Sequence, residues 1–118
     1  MENGFKGLKV YQKAYENVLY IYKETENLPS SEQYGLSSQI RRAAVSVVAN
    51  ISEGYAKKEF SSGEYKRFLL MSKGSVNEVM TLAGICSDLG YLRAEFKEEI
   101  ERKYTEISNM LFGIINKL

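Results

Sequence analysis

Apolar residues return at intervals of three and four in four successive runs, the pattern of helices that each bury one face. In the first run Leu8, Tyr11, Tyr15, Val18 and Tyr22 share a face, which predicts a helix over residues 6–27. It ends at Leu28-Pro29, because the residue before a proline avoids helical geometry. A connector follows, in which Ser30 and Gln33 have capping-box spacing, Gly35 interrupts, and Ser37 or Ser38 is the next plausible cap. The second helix, over 37–58, carries Leu36, Ile40, Ala43, Val47 and Ile51 on its inner face. Ser61 and Glu64 form a cleaner capping box that opens a third helix over 62–89. That helix buries Tyr65, Phe68, Leu69, Val76, Val79, Ala83 and Cys86, and Gly90 suits its carboxyl-terminal cap. Gly74 and Gly84 within it read as close-packing positions. The fourth helix, over 93–117, turns Phe96, Ile100, Tyr104, Ile107, Leu111 and Ile114 inward. Its outer side is dense in Glu and Lys, with i,i+4 pairs such as Glu99 and Lys103. Helices of matched length, roughly 33–43 Å at the standard rise, joined by short connections predict one all-α domain over 1–118. Its architecture is an up-down antiparallel four-helix bundle.

The second run is too apolar for a surface helix. Beyond the inner face, Val45, Val48, Ala49, Tyr55 and Ala56 lie well round the wheel. A helix apolar nearly all round needs cover on two sides. A neighbouring subunit is the natural cover, and complete burial in its own bundle is the alternative. Val45, Val48, Ala49 and Tyr55 are therefore the expected oligomer interface. One narrow arc is polar: Gln39, Arg42, Ser46, Asn50, Glu53 and Lys57. The arc reads as a hydrogen-bonded seam between helices or subunits, with a ligand site as the other reading. Arg41 sits off this arc and is expected to pair with a carboxylate or to extend to solvent.

Composition narrows the function more than the fold. Hydrophobic residues make up 44% and charged residues 26%, which is globular, and a single proline suits long helices. There is no histidine and one cysteine, Cys86. Histidine-activated nucleophiles, histidine metal ligation and the Glu-x-x-His pairs of di-metal bundles are thereby excluded. The acidic pairs Glu24/Glu26 and Glu98/Glu99 lie on solvated faces without a proton-transfer partner. No catalytic residue, metal or cofactor is expected, and Cys86 reads as core. The opening residues lack the apolar run of a leader, and no stretch approaches a membrane span. With the unpaired cysteine this reads as cytoplasmic.

Net charge is only +1, yet residues 37–75 hold seven basic side chains against three acidic ones. Arg41, Arg42, Lys57, Lys58, Lys66, Arg67 and Lys73, with Tyr55 and Phe60 nearby, form a candidate nucleic-acid patch. The competing reading is a helix terminus and solvated faces.

The string YGLSSQIRRAAVSVVANISEGYAKK, followed by EYKRFLLMSKGSVNEVMTLAGICSDLGYL, resembles the proteins encoded by intervening sequences within bacterial 23S ribosomal RNA genes. The opening FKGLKVYQKAYENVLYIYKET fits as well, with Tyr11 where that family usually has tryptophan. Gln39, Arg41, Arg42, Ala43, Ser46, Asn50, Glu53 and Gly54, then Phe68, Gly74 and Ser75, carry the resemblance. The family is similar to the accessory variability determinant of diversity-generating retroelements. The resemblance implies a four-helix protomer in a ring-like homopentamer, with RNA or a nucleic-acid-processing protein as possible clients.

Overall fold

The computed structural model describes residues 4–118, so the first three residues of the stretch read as leaderless lie outside it. Four helices follow one another: α1 (Lys9–Glu24), α2 (Leu36–Lys57), α3 (Ser62–Asp88) and α4 (Ala94–Ile115). Short 3-10 turns at Gly4–Gly7, Thr25–Asn27 and Ser30–Glu32 precede and follow α1. No strand is present among the described residues. Cross-helix contacts run in opposite directions along each neighbouring pair. Lys13 meets Glu106 and Tyr20 meets Glu99 between α1 and α4, while Lys73 meets Ser108 between α3 and α4. The bundle is therefore up-down-up-down, 45 Å long and 22 × 21 Å across.

α4 buries Phe96, Ile100, Tyr104, Ile107 and Leu111 as expected, with Ile115 completing the stripe and Ile114 only half-buried. α3 buries Tyr65, Leu69, Val76, Val79, Ala83 and Cys86, adds Ser72 and Leu82, and leaves Phe68 half-buried. It ends in a Schellman arrangement: Tyr91 N–H reaches Cys86 C=O and Gly90 N–H reaches Ser87 C=O. Gly90 takes φ 80°, a left-handed conformation that costs glycine little.

Four readings need correction. The inner face of α1 is Val10, Ala14, Asn17 and Ile21; Leu8, Tyr11 and Val18 are half-buried, and Tyr15 and Tyr22 are exposed. The aromatic stripe is the stronger sequence signal, but its phenols prefer the water boundary and the small Ala14 lets α1 sit close to its neighbours. α2 is capped neither by Ser37 nor by Ser38: it begins at Leu36, whose N–H donates to Glu32 Oε1 at 3.1 Å, and Ser30 opens only a 3-10 turn. Ser61 Oγ does accept the Glu64 N–H, but the Glu64 carboxylate turns to Arg67 instead of back to the cap. Finally, a Cβ at Gly74 would meet nothing within 4 Å, and one at Gly84 only Lys97 Cε at 3.8 Å. The close-packing glycine is Gly54 of α2, where a Cβ would sit 2.8 Å from Phe68 Cβ.

Hydroxyl groups stitch α2 to α3. The buried Ser72 donates to Val47 C=O at 2.8 Å, and Ser46 and Ser75 share a hydrogen bond of 2.9 Å. Asn50 Nδ2 donates back to Ser46 C=O and Oγ. α1 is held to α4 by more polar links: the Tyr20 hydroxyl donates to Glu99, and Arg93 bridges Glu99 and Glu24. Glu99 thus makes its direct contacts with Tyr20 and Arg93, while the expected Lys103 lies over the Tyr20 ring and acts on Glu99 through its charge. The Tyr20 hydrogen bond foremost, with Arg93, holds the Glu99 carboxyl below its ordinary range.

Candidate functional site

The surface of α2 and its neighbours divides into three regions. On the side toward α1, Val48 and Tyr55 pack against the core and are half-buried, and further round Val45 is 41% exposed with Ala49 half-buried. On α1, Tyr15, Leu19 and Tyr22 are exposed, Leu19 to 59%, and Arg41 of α2 lies over the Tyr22 ring. The sequence pattern had placed Tyr15 and Tyr22, but not Leu19, on the inner face of α1. Leu70 and Met71 of α3 and Phe112 of α4 are exposed as well.

On the side toward α3, Ser46 and Asn50 make the seam with Ser75 described above, while Gln39, Arg42, Glu53 and Lys57 are exposed. The polar arc is thus a hydroxyl and amide junction at its centre and a solvated row at both ends.

The seven basic residues separate into two groups and a single. Arg41 and Arg42 stand at the amino end of α2. Lys57, Lys58, Lys66 and Arg67 gather at the α2–α3 turn, roughly 24 Å away at 1.5 Å per residue. Around that turn Arg67 lies 4.8 Å and Lys57 5.8 Å from the Phe68 ring centroid, and Lys58 4.7 Å from that of Tyr55. Phe60 projects at the tip, 88% exposed. Arg67 is ion-paired with Glu64. Lys73 lies between the groups, half-buried, donating to Ser108 Oγ at 3.0 Å and facing Phe112.

Arg41 neither meets a carboxylate nor runs free. Its Nε donates to Thr25 Oγ1 at 2.8 Å, and the Thr25 hydroxyl donates onward to Ile21 C=O. Its Nη2 donates to Tyr22 C=O, and the guanidinium lies over the Tyr22 ring. A cation on the last carbonyls of α1 offsets the negative end of that helix dipole. Sequence reasoning missed this because the partners are main-chain atoms of another helix. It also missed the company Arg41 and Arg42 keep: Gln33, Ser37, Ser38, Tyr22 and Tyr34 line one open cleft of about 390 Å³ with them. The spacing Ser37-Ser38 to Arg41-Arg42, four residues apart on a helix, was the available signal.

Chemistry is sparse elsewhere. Cys86 is buried, and desolvation foremost, with Glu32, pushes its thiol up to about 11. No metal-ligating cluster exists among the described residues, and no helix there is long and apolar enough to cross a membrane.

Comparison with known proteins returns a family and a similar fold. The description of 23S rRNA-intervening sequence proteins matches residues 6–113, and the chain belongs to that family. Among solved structures it is similar to a protein of unknown function from the S23 ribosomal protein family of Bacteroides thetaiotaomicron. The two are 27% identical with a TM-score of 0.76, over 90% of this chain and 97% of that one. No curated protein matches.

Proposed function

We propose that this protein is a non-catalytic, self-assembling interaction module whose protomers join through the outer face of α1 and α2. The observation that carries the reading is the exposure of Tyr15, Leu19 and Tyr22 on α1 and of Val45 on α2, one turn beyond Arg41, which lies over the Tyr22 ring. Contiguous apolar surface of this kind marks an interaction face. Exposed Leu70, Met71 and Phe112 lie on the other helices, α3 and α4, and would offer a second face. Two unlike faces suit a head-to-tail contact that closes into a ring, in keeping with the homopentamer the resemblance implies. The lack of histidine and the buried, weakly acidic thiol support a role without chemistry, and the reduced cysteine fits a cytoplasmic setting.

Native mass spectrometry with light scattering tests the assembly. A single multi-subunit species is expected, and Leu19→Glu or Val45→Glu should dissociate it while helical circular dichroism persists. A monodisperse wild-type monomer overturns the reading.

RNA as the client is the second reading, the one linked with the retroelement determinant. It is favoured by the cations interleaved with Phe60, Tyr55 and Phe68 at the α2–α3 turn. Binding of structured RNA that weakens with salt supports it, and lack of binding at low salt removes it.

A further inference from the structure

The up-down order brings the start of α1 and the finish of α4 to the end of the bundle that holds the α2–α3 turn. Lys9 and Lys117 line one cleft there, and the 3-10 turn Gly4–Gly7, which carries Lys6, packs against α2. Lys6, Lys9 and Lys117 thereby join Lys57, Lys58 and Lys66, far from them in sequence. All six are exposed, and none is ion-paired among the described residues. Of the carboxylates near that end, Glu64 and Glu106 are taken by Arg67 and Lys13, which leaves Glu16, Glu53 and Glu59. The bundle end is therefore a basic surface although the chain as a whole is almost neutral.

Aromatic rings alternate with those charges. Phe60 stands 88% exposed at the tip of the α2–α3 turn. Phe5, Tyr11 and Tyr15 follow one another at centroid distances of 5.1 and 5.9 Å. Tyr11 and Tyr15 line an open cleft of about 380 Å³ with Lys6, Gln12 and Glu16. Gln12 Nε2 donates to Lys6 C=O at 2.9 Å, and its amide oxygen is left to accept. Glu16 is a poor neighbour for phosphate but accepts from the amino edge of a base. The cleft thus suits a planar base, and the lysines around it suit phosphates. Stacking on such rings is open to unpaired nucleotides, because a duplex keeps its base faces inside its own stack. An anionic membrane would also answer to the lysines, but it offers nothing planar to the cleft and is repelled by Glu16 and Glu59.

We propose that this end of the bundle binds single-stranded nucleic acid. One base sits in the Tyr11 cleft, another stacks on Phe60, and Lys6, Lys57, Lys58 and Lys66 hold the backbone between them. The inference rests on the RNA reading above and narrows it to unpaired strands. Tyr15 also belongs to the proposed assembly face, so Tyr11 and Phe60 carry the test.

Fluorescence anisotropy of the full chain tests it, with an oligouridylate of about twelve nucleotides, an oligothymidylate of the same length and a blunt RNA duplex as probes. Phosphatidylserine vesicles are co-sedimented in parallel. The single strands should bind more tightly than the duplex, and any preference between the two reports the sugar. Phe60→Ala and Tyr11→Leu should each weaken binding about tenfold, the worth of one stacked base, and leave the salt slope unchanged. Lys57→Gln and Lys66→Gln should each lower the slope of log affinity against log salt by about 0.7. Lys23→Gln, at the opposite end of the bundle, should do neither. Phe60, Lys57 and Lys66 face solvent and Tyr11→Leu keeps apolar bulk, so the variants keep the fold, which circular dichroism checks. Duplex binding as tight as single-strand binding overturns the proposal and leaves the RNA reading standing; no binding of any nucleic acid at low salt removes both. Vesicle binding without oligonucleotide binding, or full affinity in both Phe60→Ala and Tyr11→Leu, also overturns it.

Discussion

Placing the same methyl group on two glycines should move stability in opposite directions. At Gly54 the added Cβ would lie 2.8 Å from Phe68 Cβ, 3.2 Å from Tyr65 Cδ1 and 3.3 Å from Tyr65 C=O. Two of these atoms belong to the backbone or are bonded directly to it, so relief requires α2 and α3 to move apart. Overpacking of this kind costs about 1–3 kcal/mol. Replacing a helical glycine by alanine returns about 0.8–1.0 kcal/mol. At 2.8 Å from a Cβ the upper part of that range applies, about 2–3 kcal/mol, so Gly54→Ala should destabilise by about 1–2 kcal/mol. At Gly74 nothing lies within 4 Å, so only the helix gain remains and Gly74→Ala should stabilise by about 1 kcal/mol. For a domain of this size the two melting temperatures should differ by roughly 10 °C. Urea titrations followed by circular dichroism measure the pair, repeated at several protein concentrations because assembly adds a concentration-dependent term. A Gly54→Ala protein as stable as wild type would refute the close approach of α2 and α3. A shift of the same sign in both variants would refute the contrast.

Three further outcomes follow from single side chains. Tyr104 is fully buried and its hydroxyl has no partner, so Tyr104→Phe should hold or raise stability, by up to about 1–3 kcal/mol in urea titration. Cys86, with its thiol raised to about 11 and no exposed surface, should resist a disulfide reagent at pH 8 in the folded protein. It should react at once in denaturant; fast labelling of the native form would contradict its burial. The Glu99 carboxyl is lowered from 4.5, so the folded state binds fewer protons than the unfolded one below that pH. Its contribution is present above the ordinary value and fades as pH falls through the folded one. A Tyr20→Phe variant, lacking the main cause of the shift, should lose stability at neutral pH and show a shallower acid limb.

The sequence spoke most clearly where aliphatic side chains set the period. Phe96 through Leu111 in α4, and Leu69 through Cys86 in α3, reach the core as their spacing predicts, because one continuous run of apolar side chains at that spacing gains most from burial. α1 carries two stripes a short rotation apart. Its true inner face includes Ala14 and Asn17, which weigh little on any hydropathy reading, whereas the tyrosines of the outer stripe weigh heavily. The cap of α2 was illegible for another reason: Glu32 reaches it from a 3-10 turn, so no serine at the expected place was needed. Glycine roles depend on which atoms stand opposite, which chain position alone does not reveal; hence Gly54 and not Gly74. The basic residues followed the same rule. Their types and local spacing were visible, but the separation of Arg41 and Arg42 from Lys57 and Lys58 emerges only once α2 is seen as an uninterrupted rod.

The unequal stitching of the bundle sets the order in which it breathes. α2 and α3 are consecutive in the chain and share buried hydroxyl bonds and the contact at Gly54, so their amides should open together and last in hydrogen exchange. α1 is joined to α4 largely through solvent-exposed charges such as Lys13–Glu106, at 3.7 Å, and should swing free at the lowest cost. The helix that detaches most readily is also the one that presents Tyr15, Leu19 and Tyr22 outward. A partner seated on that strip would raise protection in α1 more than anywhere else in the protein, so association and local unfolding would compete for one helix.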